Sequence, residues 1–177
     1  MSTDFYDQLV VIEPAQGRVI PKPTDKDLTA FEKSSGVKLP KSYRAFAIRF
    51  GAGELGGYYR IAVPLSTKND YDLAQFNETA HGPEEDELWD GTAPPEVIKR
   101  IVFFGETIGG EMYAWDPGES RDKKKNEYAI LYFPRGDKAR EVAGTFSDLL
   151  QNVWLKKEPR EDGSIPSLEF SPFFCEE

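Results

Sequence analysis

Two helical rhythms dominate the chain between Asp25 and Phe50. Leu28 and Phe31 lie three apart, and Tyr43, Phe46, Ala47 and Phe50 follow at spacings of three, one and three. Each set makes one apolar stripe on a helix. The pattern predicts helices over about 25–34 and 41–50. Thr24 is a good N-cap, and Asp27 stands where a capping box places Glu or Gln. Gly36 supplies a left-handed stop, and apolar Val37 follows it. Pro40 opens the second helix where its missing N–H costs nothing, and Gly51 ends it.

Elsewhere the pattern is extended. Tyr58 to Val63 is rich in aromatic and β-branched residues and predicts a strand ended by Pro64. Val97, Ile98 and Ile101 to Phe104 read as one buried strand after the turn at Pro94-Pro95. After Gly109-Gly110, Met112 and Ala114 share one face of a strand, and Tyr113 and Trp115 the other. Asp116-Pro117-Gly118 and Pro134 to Asp137 read as turns around a strand at Tyr128 to Phe133, with a solvated charged loop at Arg121 to Lys125. Thr145 caps a last helix that carries Phe146, Leu149, Leu150 and Val153. Short helices are expected near residues 4–10 and 70–76, and short extended pieces at Val10 to Ile12 and Arg18 to Ile20. Helices and strands do not alternate regularly, so the class is α+β with a mixed, mostly antiparallel sheet. The stretch from Lys156 has no clear period, but Phe170, Phe173 and Phe174 predict that it docks on the domain.

Composition narrows this picture. With 177 residues, 39% hydrophobic and 13% aromatic, the chain reads as one folded domain, residues 1–155, with a C-terminal tail at 156–177. No apolar run approaches membrane-spanning length, and the N-terminus lacks the basic start and apolar core of a secretory signal. A single cysteine, Cys175, excludes an internal disulfide framework and points to a reducing, cytoplasmic setting. The net charge of −9 disfavours a nucleic-acid backbone as ligand and favours a basic protein partner. That charge is concentrated: Ser66 to Glu96 holds nine acidic residues and one basic residue, Lys68, for a local charge of −8.

The same segment holds the best candidate site. Asp70, Asp72, Glu84, Glu85, Asp86, Glu87 and Asp90 form a carboxylate-rich stretch around Trp89, which lies in polar surroundings. Clustered carboxylates with one aromatic anchor suit docking to a basic cleft; a solvated acidic loop is the competing reading. Catalytic chemistry is poorly served. His81 is the sole histidine, so a His-based pair or a His-rich zinc site is unavailable. Asp70 and Asp72 lack the glycine and closing glutamate of a calcium loop. Gly105 to Gly110 lacks the Gly-Lys-Ser/Thr ending of a phosphate loop. Glu111 and Asp116 fall on opposite sides of their strand. No catalytic residue, metal or cofactor is therefore expected. A small hydrolase using acidic residues is disfavoured by the lack of a nucleophile–histidine pair, and a carboxylate-only mechanism is the catalytic alternative left open.

The ordered set of motifs resembles the SMI1/KNR4 (SUKH) superfamily. The first piece is Phe31-Glu32, Gly36-Val37-Lys38-Leu39-Pro40, Tyr43, Phe46 and Gly51 to Gly57. The second is Ile101 to Gly105, Gly109-Gly110 and Met112 to Asp116; the third is Tyr128 to Phe133 and Thr145 to Leu150. The resemblance covers about residues 24–155. It implies a compact α+β domain with a binding role. Bacterial members are commonly immunity proteins that neutralise polymorphic or contact-dependent toxins, many of them nucleases, by stoichiometric binding. Fungal relatives are regulatory scaffold proteins with long disordered flanks. The resemblance thus implies a protein toxin as partner, with a regulatory or scaffold domain as the alternative.

Overall fold

The computed structural model describes residues 3–82, 88–156, 163–164 and 166–175. The first helix, α1 (Asp25–Ser35), starts on the expected capping box. Thr24 N–H donates to the Asp27 carboxylate at 2.7 Å, and Asp27 N–H donates to Thr24 Oγ1 at 3.4 Å. Gly36 closes the helix in the left-handed conformation at φ 73°. α2 (Lys41–Phe50) follows, with Tyr43, Phe46, Ala47 and Phe50 all buried. Glu32 fastens the turn between them: its carboxylate accepts from Leu39 N–H at 3.0 Å, Lys38 Nζ at 3.1 Å and Arg44 Nη1 at 3.0 Å. Burial pushes that carboxyl up, and these donors outweigh it, leaving the group below its ordinary value.

α2 packs on an eight-stranded sheet, with Tyr43 against Phe104 and Trp115. In chain order the strands are β1 (Val10–Val11), β2 (Arg18–Val19), β3 (Gly53–Leu55), β4 (Tyr59–Ile61), β5 (Val102–Thr107), β6 (Met112–Asp122), β7 (Glu127–Phe133), β8 (Arg140–Ala143), β9 (Glu169–Pro172) and β10 (Phe174–Cys175). The large sheet runs β1-β9-β3-β4-β5-β6-β7-β8, and β2 pairs separately with β10. Within the large sheet β1 and β9 are parallel and the other neighbours antiparallel, a mixed sheet as expected. β9 lies between β1 and β3, so the C-terminal stretch enters the sheet. Its Phe170 is fully buried and packs 5.6 Å from Phe46 and 5.4 Å from Phe50.

Two extended readings need correction. Val97 and Ile98 belong to a helical turn, Pro95–Ile98, and β5 begins only at Val102. Pro95 occupies the first helical position without needing a donor, and Val97 and Ile98 N–H donate to Pro94 O at 2.9 and 3.1 Å. Asp116-Pro117-Gly118 does not reverse the chain; β6 runs through it to Asp122, and the pairing with β7 slips between Asp116 and Ser120. The buried Asp116 carboxylate holds this bulge in place. It accepts from Arg100 Nε at 2.6 Å and Nη2 at 2.8 Å, and from Gly118 N–H at 2.9 Å.

The register divides the sheet into two faces. Toward α2 point Leu55, Tyr59, Ile61, Tyr113 and Trp115, covered by the closing helix: Phe146–Asp148, capped by Thr145, then a π-helical turn Leu149–Trp154. Tyr43 is the hub, with its ring 4.5 Å from Trp115 and 5.2 Å from Phe146 and its hydroxyl donating to Ala62 O. A bulge between Phe103 and Gly105 turns Phe104 and Gly105 to this face and returns Glu106 to the other.

One buried polar cluster ties the helices to β7. The Glu127 carboxylate accepts from Ser42 N–H at 2.9 Å and Ser42 Oγ at 2.8 Å, and Tyr6, on the 3-10 helix Thr3–Gln8, donates to Ser42 O at 2.8 Å. Burial raises the Glu127 carboxyl above its ordinary value despite these donors. The folded state therefore holds this proton more tightly than the unfolded chain. The stability it contributes is complete below the unfolded value and is lost as pH rises through the folded one. Urea unfolding at several pH values should show wild type losing stability relative to Glu127→Gln as pH rises above the ordinary glutamate range; a constant difference would contradict this assignment. Gly53 makes a second prediction. A Cβ there would sit 2.6 Å from Ser171 O and collide with the Phe170 ring. Gly53→Ala should cost about 1–3 kcal/mol, read as a lowered urea midpoint.

Candidate functional site: an acid-lined groove beside α3

Among the described residues, the opposite face of the sheet is only partly covered. Residues directly opposite in the register share a face, so one row crosses it: Ser171, Glu54, Arg60, Glu106, Met112 and Phe133. α3 (Leu73–Ala80) packs on β5, and Trp89 covers Phe133 at the end of the row. Two contacts fix α3 there. Asn77 Nδ2 donates to Phe103 O at 2.8 Å while Phe103 N–H donates to Asn77 Oδ1 at 2.9 Å. At its N-terminus, Asp72 accepts from Leu65 N–H at 2.9 Å and Gln75 N–H at 3.4 Å.

Where α3 stops covering the sheet, a groove of about 370 Å³ opens. Phe76, Ala80 and Met112 form its apolar wall, Asp70 and Tyr71 one rim, and Glu106 projects into it from β5. Glu106 faces Arg60 at 3.7 Å, and the same guanidinium reaches Glu54 at 3.4 Å. Burial raises the Glu106 carboxyl, and Arg60 offsets that only in part. Tyr71 is held by stacking on Phe173, with ring centroids 3.8 Å apart. Arg135 closes the far end, packed so tightly over Gly110 that a Cβ there would collide with its guanidinium.

The structure distributes the expected site residues unevenly. Asp70 is exposed on the groove rim, and Asp90 is exposed nearby in sequence to Leu88, which also lines the groove and is 46% exposed. Asp72 is committed to capping α3 and to the Leu65 amide. Glu84, Glu85, Asp86 and Glu87 lie outside the described residues. Trp89 requires a correction: it does not lie in polar surroundings. It is 3% exposed, stacks on Phe103 at 5.2 Å, meets Phe133 edge-on at 5.5 Å, and donates its indole N–H to Ala80 O at 2.8 Å. The indole is apolar area with one donor, and both are satisfied beneath α3.

Sequence reading misses Glu106, Arg60, Tyr71 and Met112. Glu106 follows an apolar run, and the bulge at Phe104 hides which face it takes. Alternation in Tyr59-Arg60-Ile61 is the one signal that points Arg60 away from the α2 core.

His81 is used locally, with Nε2 3.2 Å from Ile101 O and its ring 5.2 Å from Phe103. Among the described residues no three His, Cys, Asp or Glu side chains cluster as metal ligands, and no helix is long and apolar enough to cross a membrane. The arrangement offers a recess with clustered charge and an apolar wall, which is binding chemistry.

In comparison with known proteins, the family model described as SMI1 / KNR4 family (SUKH-1) matches residues 22–152. A search of curated proteins gives no significant match. The matched span runs from just before α1 into the closing helix and includes the whole groove as lined by described residues.

The corrected position of Trp89 is directly testable. Trp89→Ala should lower unfolding free energy by about 3–5 kcal/mol, as for other large buried aromatics. An unchanged urea midpoint would restore the indole as an exposed anchor.

Proposed function

We propose an immunity-type, protein-binding function from one premise: the chain belongs to the SMI1/KNR4 family (SUKH-1). It neutralises a polymorphic or contact-dependent bacterial toxin by forming a stoichiometric complex, without turnover. The partner surface is basic. The observation that carries this reading is the groove beside α3, where the sheet face is left uncovered and carboxylates gather at an apolar wall. Ala80 and Leu88 both line it, so the chain leaves and rejoins the groove on either side of Glu84, Glu85, Asp86 and Glu87. Charge of this density steers a basic partner and opposes an acidic one. The rigid aromatic core behind the sheet supports the recess, and support of that kind lowers the ordering cost of association.

Co-expression with a toxin encoded beside the gene is the decisive experiment, scored for survival and for a complex on size-exclusion chromatography. Survival with a one-to-one complex is expected. Rescue without a complex would overturn occlusion by binding. Neutralising Glu84, Glu85, Asp86, Glu87 and Asp90 together should weaken the complex by about tenfold or more at low salt and by much less at high salt. Unchanged affinity would remove this segment from the interface.

A further inference from the structure

We infer that the groove beside α3 is a socket for one lysine or arginine side chain of the protein partner, its aliphatic stem on Phe76 and Met112 and its cationic head against Glu106 and Asp70. The inference rests on the protein-binding reading above and names the chemistry of its anchor.

The size fits. A volume of about 370 Å³ is room for one long side chain with a few waters. It lies at the lower end of the roughly 300–1,000 Å³ typical of ligand clefts. The lining also matches an amphipathic occupant. Lysine and arginine lay their methylene stems on apolar surface and keep the charged end beside polar groups. Here the apolar wall, Phe76 and Met112, is buried, and Glu106 stands next to Met112 across the β5–β6 register.

Charge selects a cation. Asp70 and Glu106 line the groove against one guanidinium, Arg135, which sits at the Gly110 end. Arg60 lies behind Glu106 and is divided between two carboxylates, at 3.4 Å from Glu54 and 3.7 Å from Glu106. Glu106 is thus a half-buried carboxylate with a shared, long ion pair, and burial has raised its carboxyl accordingly. A cation placed against it adds a second counter-charge to the one it shares with Glu54. An anion would meet two carboxylates, and a neutral apolar group would desolvate Glu106 further with no compensation. Asp70 also belongs to Ser66 to Glu96, a segment whose sequence charge of −8 attracts cationic partners.

The test uses the whole chain and three peptides: acetyl-Gly-Arg-Gly-amide, its lysine counterpart, and its citrulline counterpart, a neutral isostere of arginine. Backbone amide shifts are followed by NMR. The arginine or lysine peptide should give saturable shifts at Asp70, Tyr71, Thr79 and Gly110. Citrulline should bind about three- to fivefold more weakly, the worth of one partly exposed ion pair. Glu106→Gln should weaken the cationic peptides by a similar factor, and the exposed Asp70→Asn serves as a second variant should Glu106→Gln unfold. Glu119→Gln, on a carboxylate paired with Arg121 and outside the groove, should leave binding unchanged. Absent saturable shifts, equal binding of citrulline, or indifference to both groove variants would overturn the socket. A chain that neutralises a toxin yet ignores these peptides overturns the socket alone; peptide binding without toxin neutralisation overturns the immunity reading alone.

Discussion

The rest of the structure depends on one aromatic layer trapped between α2, the sheet and the closing helix. Tyr43 occupies its centre, within 4.5 Å of Trp115 and 5.2 Å of Phe146, while Phe104 stacks on Trp115 at 4.5 Å. Each ring buries a large apolar area, and their edge-to-face contacts leave little freedom to slide. The Tyr43 hydroxyl is buried as well, so it must find a partner, and it takes the carbonyl of Ala62. That single bond positions the exit of β4 relative to α2, and the loop that leads to α3 starts there.

The asymmetry of the sheet follows from this layer. One face is covered by α2 and the closing helix, and most of its residues are aromatic or aliphatic. Among the described residues the other receives α3 and the Trp89 turn, and Trp89 packs on both Phe103 and Phe133. The remaining part of that face must be compatible with water, and Glu54, Arg60 and Glu106 supply alternating charge across three adjacent strands. The groove is the boundary between the two regimes. Its acidity and its apolar wall have the same origin: cover ends there, partway along a cross-strand row.

The two helices are legible from sequence because every signal agrees locally. Thr24 and Asp27 cap, Gly36 stops, and the stripe of Tyr43, Phe46, Ala47 and Phe50 has one period. The strands at Tyr59, Met112 and Tyr128 are legible for the same reason. Legibility fails where a distant group changes a local outcome. Asp116-Pro117-Gly118 has turn chemistry, but Arg100 binds the carboxylate from outside and the strand continues as a bulge. β3 has three residues and no period to read. Trp89 sits in an acidic stretch, and its burial is set by Phe103 and Phe133, which are far along the chain.

By itself, then, the sequence determined the family, the α+β class, the helix–turn–helix and the place where negative charge collects. All of these rest on short-range order: caps, periods and composition act within a few residues of where they are read. Only the tertiary structure decided which carboxylates share a recess. Asp72 was drawn into a helix cap, Trp89 into the core, and Glu106 was brought to Asp70 and Tyr71 across a bulged strand pair. The place of Glu106 depends on register, and a one-residue shift at the Phe104 bulge would turn it to the other face.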